Sequence, residues 1–75
     1  MKNTKAYDVT NRIIDYEMGH LDDAKTLRLF SELIKTGMAW SLQGHYGRTA
    51  SAMIEDGWLE RDGTMTDKAE LNGIL

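Results

Sequence analysis

The sequence predicts a mainly α, compact small domain of three to four helices, with a short β-hairpin wing near residues 58–66. Three observations predict it. Apolar residues recur at helical spacing, most clearly at Leu27, Phe30, Leu33 and Ile34. There are seven Gly and no Pro, and the Gly at 19, 37 and 57 each close an amphipathic stretch. Asp62-Gly63 is a two-residue hairpin signal between short apolar segments.

The first helix is expected over residues 10–18. Thr10 would be its N-cap, and Val9, Ile13, Ile14 and Tyr16 its apolar side. Residues 1–8 read as a flexible N-terminus. The second helix starts at Asp22, whose side chain can accept from open backbone N–H groups, and Asp23 adds negative charge at the same positive pole. Leu29 widens its apolar stripe. Met38, Ala39, Trp40 and Leu42 form a compact apolar turn too short for an independent helix. Gly44-His45-Tyr46-Gly47 reads as a break, followed by a helix from Tyr46 or Arg48 to Asp56 with Ala50, Met53 and Ile54 inward. Gly37 and Gly57 are followed by Met38 and Trp58, which would fold back onto Leu33 and Met53 in a left-handed helix ending. After the hairpin, Thr66 or Asp67 caps a last short helix through Leu71. The expected core joins Leu27, Phe30, Leu33, Ile34, Met53 and Ile54. Trp40 and Trp58 are assigned to it as well, and a tryptophan left exposed would mark a protein contact.

The 75 residues make a single domain over residues 1–75. A chain this small buries only about 60% of its unfolded surface, so its stability is marginal. With no Cys it has neither disulfides nor thiolate zinc sites, which fits a reducing, cytoplasmic setting. Close helical packing or a homodimer is the remaining route to stability. The 41% hydrophobic and 28% charged content is that of a globular chain. No apolar run approaches the roughly 20 residues that cross a bilayer, so no membrane partner is expected. A net charge of −3 gives no global attraction to a phosphate backbone.

Catalysis needs paired groups with roles. His20 and His45 are unpaired, and Ser31, Ser41 and Ser51 lie outside any nucleophile-elbow context. The acidic residues sit at helix ends or in the turn and lack the spacing of a calcium loop. Gly44-x-x-Gly47-Arg48-Thr49 is shorter than a phosphate loop and carries Arg where that loop has Lys. The expectation is no enzyme, no cofactor and no metal.

The densest polar set is Gln43, His45, Tyr46, Arg48 and Thr49, gathered around Gly44 and Gly47. Tyr and Arg dominate binding hot spots, and paired Gly let a backbone approach a partner. Arg48 in the first turn of a helix would be repelled by the positive pole. It therefore needs another purpose: an acidic or phosphate partner, or an internal pair with a carboxylate such as Glu17. The plainer alternative is an interhelical turn with Tyr46 packed in the core.

The segment Gly57-Trp58-Leu59-Glu60-Arg61-Asp62-Gly63-Thr64-Met65-Thr66, preceded by helix, turn and helix, resembles the end of a winged helix-turn-helix domain. The resemblance covers residues 39–71. It implies a recognition helix over 46–56, a wing at 61–64, and Arg48 and Arg61 as nucleic-acid contacts. The charge departs from the family: Glu55 and Asp56 oppose Arg48, and Glu60 and Asp62 oppose Arg61.

Residues 37–48, Gly-Met-Ala-Trp-Ser-Leu-Gln-Gly-His-Tyr-Gly-Arg, preceded by Ile13-Ile14-Asp15-Tyr16-Glu17-Met18-Gly19, resemble the shared core of small tailed-bacteriophage proteins of no assigned activity. That resemblance implies an accessory viral protein in the host cytoplasm. The leading expectation is an inhibitor or adaptor that binds a host or phage protein through the 43–49 turn and the adjoining helix. The alternative is a winged-helix-like regulator that binds DNA or RNA, and a third reading is a virion structural component.

Overall fold

The computed structural model describes the backbone of residues 4–71 and the side chains of residues 9–69 and 71. Five helices lie among them: α1 (Thr4–Glu17), α2 (Asp23–Thr36), α3 (Met38–Ser41), α4 (Gly44–Glu55) and α5 (Asp67–Leu71). A hairpin between α4 and α5 is closed by a single antiparallel bridge, Leu59 to Met65. The fold is mainly α, and the helix beyond the four expected is the single turn α3, where a compact apolar turn was expected.

The helix endings follow the Gly pattern. Gly19, Gly37 and Gly57 all take positive φ, at 78°, 83° and 86°. At the end of α4 the Trp58 N–H reaches the Met53 carbonyl at 2.9 Å and the Gly57 N–H reaches Ile54 at 3.1 Å. At the end of α1 the His20 and Gly19 N–H groups reach Asp15 and Tyr16 in the same way, at 2.8 and 3.0 Å. These paired bonds satisfy carbonyls that a helix end otherwise leaves open. Asp22 caps α2 by accepting from the Lys25 N–H at 2.8 Å.

Two boundaries differ from expectation. Helix α1 begins at Thr4, so Thr10 lies exposed within it and is no N-cap. No Gly or Pro interrupts residues 4–18, and an uninterrupted chain extends a helix readily once it is nucleated. The segment expected to be flexible, 1–8, is therefore helical from Thr4 onward; residues 1–3 lie outside the described range. The second correction concerns Gly44-His45-Tyr46-Gly47, which is the first turn of α4 and not a break. The chain breaks earlier, at Leu42 and Gln43, both extended. Gly costs a helix interior about 1 kcal/mol. Here α3 packs directly on Gly47: a Cβ on it would make ordinary contact, 3.6 Å from the Ala39 carbonyl oxygen and 3.6 Å from the Trp40 ring.

The hairpin also differs in detail. The Gly63 N–H bonds the Glu60 carbonyl at 2.9 Å, and the Glu60 N–H bonds Thr64 at 2.8 Å. The loop is thus three residues, Arg61, Asp62 and Gly63, with Gly63 left-handed at φ 93°. A two-residue Asp-Gly turn needs positive φ at Asp62, and no described non-Gly residue adopts it. The loop tip is packed down. Gly63 is buried, and its carbonyl accepts from the buried Ser31 hydroxyl of α2 at 2.5 Å. The Thr66 hydroxyl donates to the Gly57 and Trp58 carbonyls, tying the start of α5 to the end of α4.

The core centres on α2. Leu29, Phe30 and Leu33 are fully enclosed, with Leu27 and Ile34 beside them, and Val9, Ala39, Tyr46, Ala50, Leu59 and Ala69 complete it from the other elements. Met53 and Ile54, expected inside, are half-buried at its edge. Among the described residues no helix is long and apolar enough to cross a membrane.

Candidate protein-binding face

The five residues singled out around the α4 start do not share one surface. Gln43 is exposed and makes no side-chain cap bond to α4. Tyr46 points the other way: only 2% of it is exposed. Its ring lies 6.0 Å from Phe30 and 5.8 Å from Tyr16, and its hydroxyl donates to the Glu17 carboxylate. Burial, reinforced by the hydrogen bond to Glu17, pushes the Tyr46 phenol well above its ordinary value. Tyr46 therefore offers no ring to a partner. His45 is half-buried with its ring 4.2 Å from that of Tyr46. Thr49 faces a different cleft from Arg48, one of about 300 Å³ floored by Leu27, Met53 and Trp58 with Asp23 and Asp56 at its edge.

Arg48 remains exposed on α4. Because α4 begins at Gly44, Arg48 sits in the second turn, where the pole of the helix has little hold on it. Its guanidinium folds back toward Gly44, where an added Cβ would lie 3.1 Å from Nη1. The internal pair with Glu17 does not form; the Glu17 carboxylate accepts instead from the Tyr46 hydroxyl.

What the fold gathers around Arg48 is a face built on Trp40. That indole, expected in the core, is 52% exposed. It lies against Gly47, because the extended residues Leu42 and Gln43 turn α3 back alongside α4. On one side Trp40 lines a shallow groove with Gly44, Gly47, Arg48, Ser51 and Glu55. On the other it lines a cleft of about 290 Å³ with Ser51, Ile54, Glu55 and Arg61. The hairpin supplies Arg61, whose place is fixed by the Gly63 contact to Ser31 next to it. The two arginines named separately in the sequence thus flank one exposed tryptophan, with Glu55 common to both clefts.

Ser51 and Glu55 carry no local sequence signal; each reads as ordinary helix surface. The signal for Trp40 is Gly47, seven residues on, which has no side chain to cover the indole. Lys68 covers the other tryptophan, with Nζ 4.3 Å from the Trp58 ring centroid and 2.7 Å from the Asp56 carbonyl. Trp58 is therefore half-buried and already partnered, and Trp40 is the large aromatic left open. Among the described residues no three His, Asp or Glu side chains gather where they would hold a metal ion.

A family model described as a domain of unknown function (DUF7417) matches residues 3–73. The chain belongs to that family. The match runs through all five helices and the hairpin, so the Trp40 face lies wholly inside the family domain. No curated protein and no solved structure matches the chain.

Proposed function

We propose that this member of the family is a non-enzymatic accessory protein that docks another protein on the α3–α4 face. The observation that carries the reading is the exposed Trp40 between Arg48 and Arg61. Trp and Arg are the residues most enriched where binding energy concentrates. A domain of this size gains more by burying an indole than by displaying it, since full burial of a large apolar side chain contributes about 1.5–3 kcal/mol. The residue pattern over 37–48 supports a bacteriophage accessory role, and with it a host or phage protein as the partner and the host cytoplasm as the setting. The site of the reading moves from the 43–49 turn to the face made by Trp40, Arg48, Ser51, Glu55 and Arg61.

The order α3, α4, hairpin supports a second reading, a winged-helix-like binder of DNA or RNA with Arg48 and Arg61 as contacts. Two features favour the first reading over it. The hairpin tip is pinned on α2 through Gly63, so it does not project as a wing. The acids Glu55, Glu60 and Asp62 lie among the two arginines, which leaves little attraction for phosphate.

The test is affinity capture from infected host cells with the wild-type chain and with Trp40→Ala, each with and without nuclease. We expect a protein that survives nuclease and whose affinity falls by about 2 kcal/mol in the variant, with the thermal midpoint nearly unchanged. Capture lost on nuclease treatment would instead establish the nucleic-acid reading. Capture indifferent to Trp40→Ala would place the contact elsewhere.

A further inference from the structure

We propose that, in the free protein, the Trp40 face is occupied by a second copy of the chain through an antiparallel α4–α4 contact. The inference rests on the reading of this face as a protein-docking surface and names its occupant. It comes from the charge order along α4. Arg48 and Glu55 line the same groove and are two helical turns apart, about 10.5 Å along the axis at 1.5 Å per residue. Neither makes an ion pair or side-chain hydrogen bond with another described residue. A two-fold axis passing between Ser51 and Ala52 sets each Arg48 against the Glu55 of the second copy, and both pairs form at once. That is the self-complementarity a two-fold interface requires.

The groove suits the approach. Its centre is Ser51 and Ala52, with Gly47 and Gly44 toward the start of α4. Such small side chains let two helices pack near the short end of the usual 8–10 Å separation. Trp40 lies against Gly47 and lines the same groove, so the indole of each copy is covered by the crossing helix. Arg61 joins Glu55 in the neighbouring cleft. Each Glu55 then sits between its own Arg61 and Arg48 of the second copy, while a parallel pairing would oppose Arg48 to Arg48 and Glu55 to Glu55. A chain of 75 residues with no disulfide also gains stability from association that its own core cannot supply.

The experiment is sedimentation equilibrium over a wide concentration range, on the wild-type chain, Arg48→Glu, Glu55→Arg and the double swap Arg48→Glu/Glu55→Arg. Both side chains are on an exposed surface, and circular dichroism of each variant verifies the fold. We expect a monomer–dimer equilibrium in the wild type, a loss of at least about tenfold in association for each single variant, and recovery in the double swap. A wild-type chain monomeric at every concentration overturns the proposal. So does a dimer that neither single variant weakens, or one that the double swap does not restore. Capture of another protein that still depends on Trp40 in a monomeric chain would leave the docking reading intact and remove only the second copy. Dimerisation without any Trp40-dependent capture would do the reverse.

Discussion

Tyr46 shows how one residue takes its role from its surroundings. By type it is a hot-spot residue, and in the sequence it stands beside Arg48 in a polar, Gly-rich segment. In the fold it is the aromatic link between α4, α2 and α1, with Phe30 against its ring and Glu17 on its hydroxyl. Its raised phenol has a stability consequence with a definite sign. The folded state holds the proton more tightly than the unfolded chain, whose tyrosine titrates near pH 10. The stabilisation is fully present below that pH and is lost as pH rises beyond it. Urea unfolding of the wild type should therefore weaken between about pH 9 and about pH 11 more than that of Tyr46→Phe. Tyr46→Phe should itself cost about 1 kcal/mol at neutral pH through the hydrogen bond to Glu17. Parallel pH profiles for the two chains would show that the phenol contributes nothing there. In the hairpin, the Thr64 N–H bonds the Asp62 carboxylate at 2.9 Å and, with Lys35 of α2 adding a smaller effect, lowers its pKa, but Asp62 is fully exposed.

At the scale of elements, the hairpin carries more than its single bridge suggests. It brings Arg61 to the Trp40 face and closes the core with Leu59. Gly63 is the point on which both depend. A Cβ there would fall 2.6 Å from the Ser31 carbonyl oxygen and 3.1 Å from the Lys35 backbone nitrogen, in a left-handed backbone conformation. Neither backbone atom can yield without moving α2, and the conformation itself disfavours a side chain. Gly63→Ala should lower stability by about 2–4 kcal/mol by thermal or urea unfolding. Gly19→Ala makes a useful comparison, because it shares the positive φ but has nothing within 4 Å of the added Cβ, so only the backbone term of about 1 kcal/mol remains. Equal losses at the two positions would mean that the hairpin is not seated on α2 in solution.

For the whole molecule, one aromatic holds the packing together. Phe30 is fully enclosed and contacts Tyr16 of α1 edge-on at 5.3 Å and Tyr46 of α4 at 6.0 Å. Phe30→Ala removes the piece that α1 and α4 both lean on, at a cost of about 3–5 kcal/mol. That is close to the full stability of a domain this small, so the variant should be largely unfolded at 37 °C by circular dichroism. A midpoint within a few degrees of the wild type would contradict the central place of this side chain. In the dilute, monomeric chain Trp40→Ala should sit at the other extreme, since half its indole already faces water there.

The sequence by itself determined the helices and where they stop. Local rules act there: an apolar stripe at 3.6 spacing marks α2, Asp22 opens it, and Gly at 19, 37 and 57 ends α1, α2 and α4 by the left-handed turn that side chains resist. It also placed Leu27, Phe30, Leu33 and Ile34 in one core, because periodicity points them to one side. It misread residues 44–47, since two Gly in four residues look like a turn until a neighbouring helix is close enough to make small size useful. Only the tertiary structure decided which side chains of that region face outward. Tyr46 went inside because Phe30 and Tyr16, from other helices, meet it there, while Trp40 lies on Gly47 at the surface, half exposed. Arg48 and Arg61 came to one face through the Gly63 contact to α2, a bond between residues 32 positions apart that no local pattern encodes.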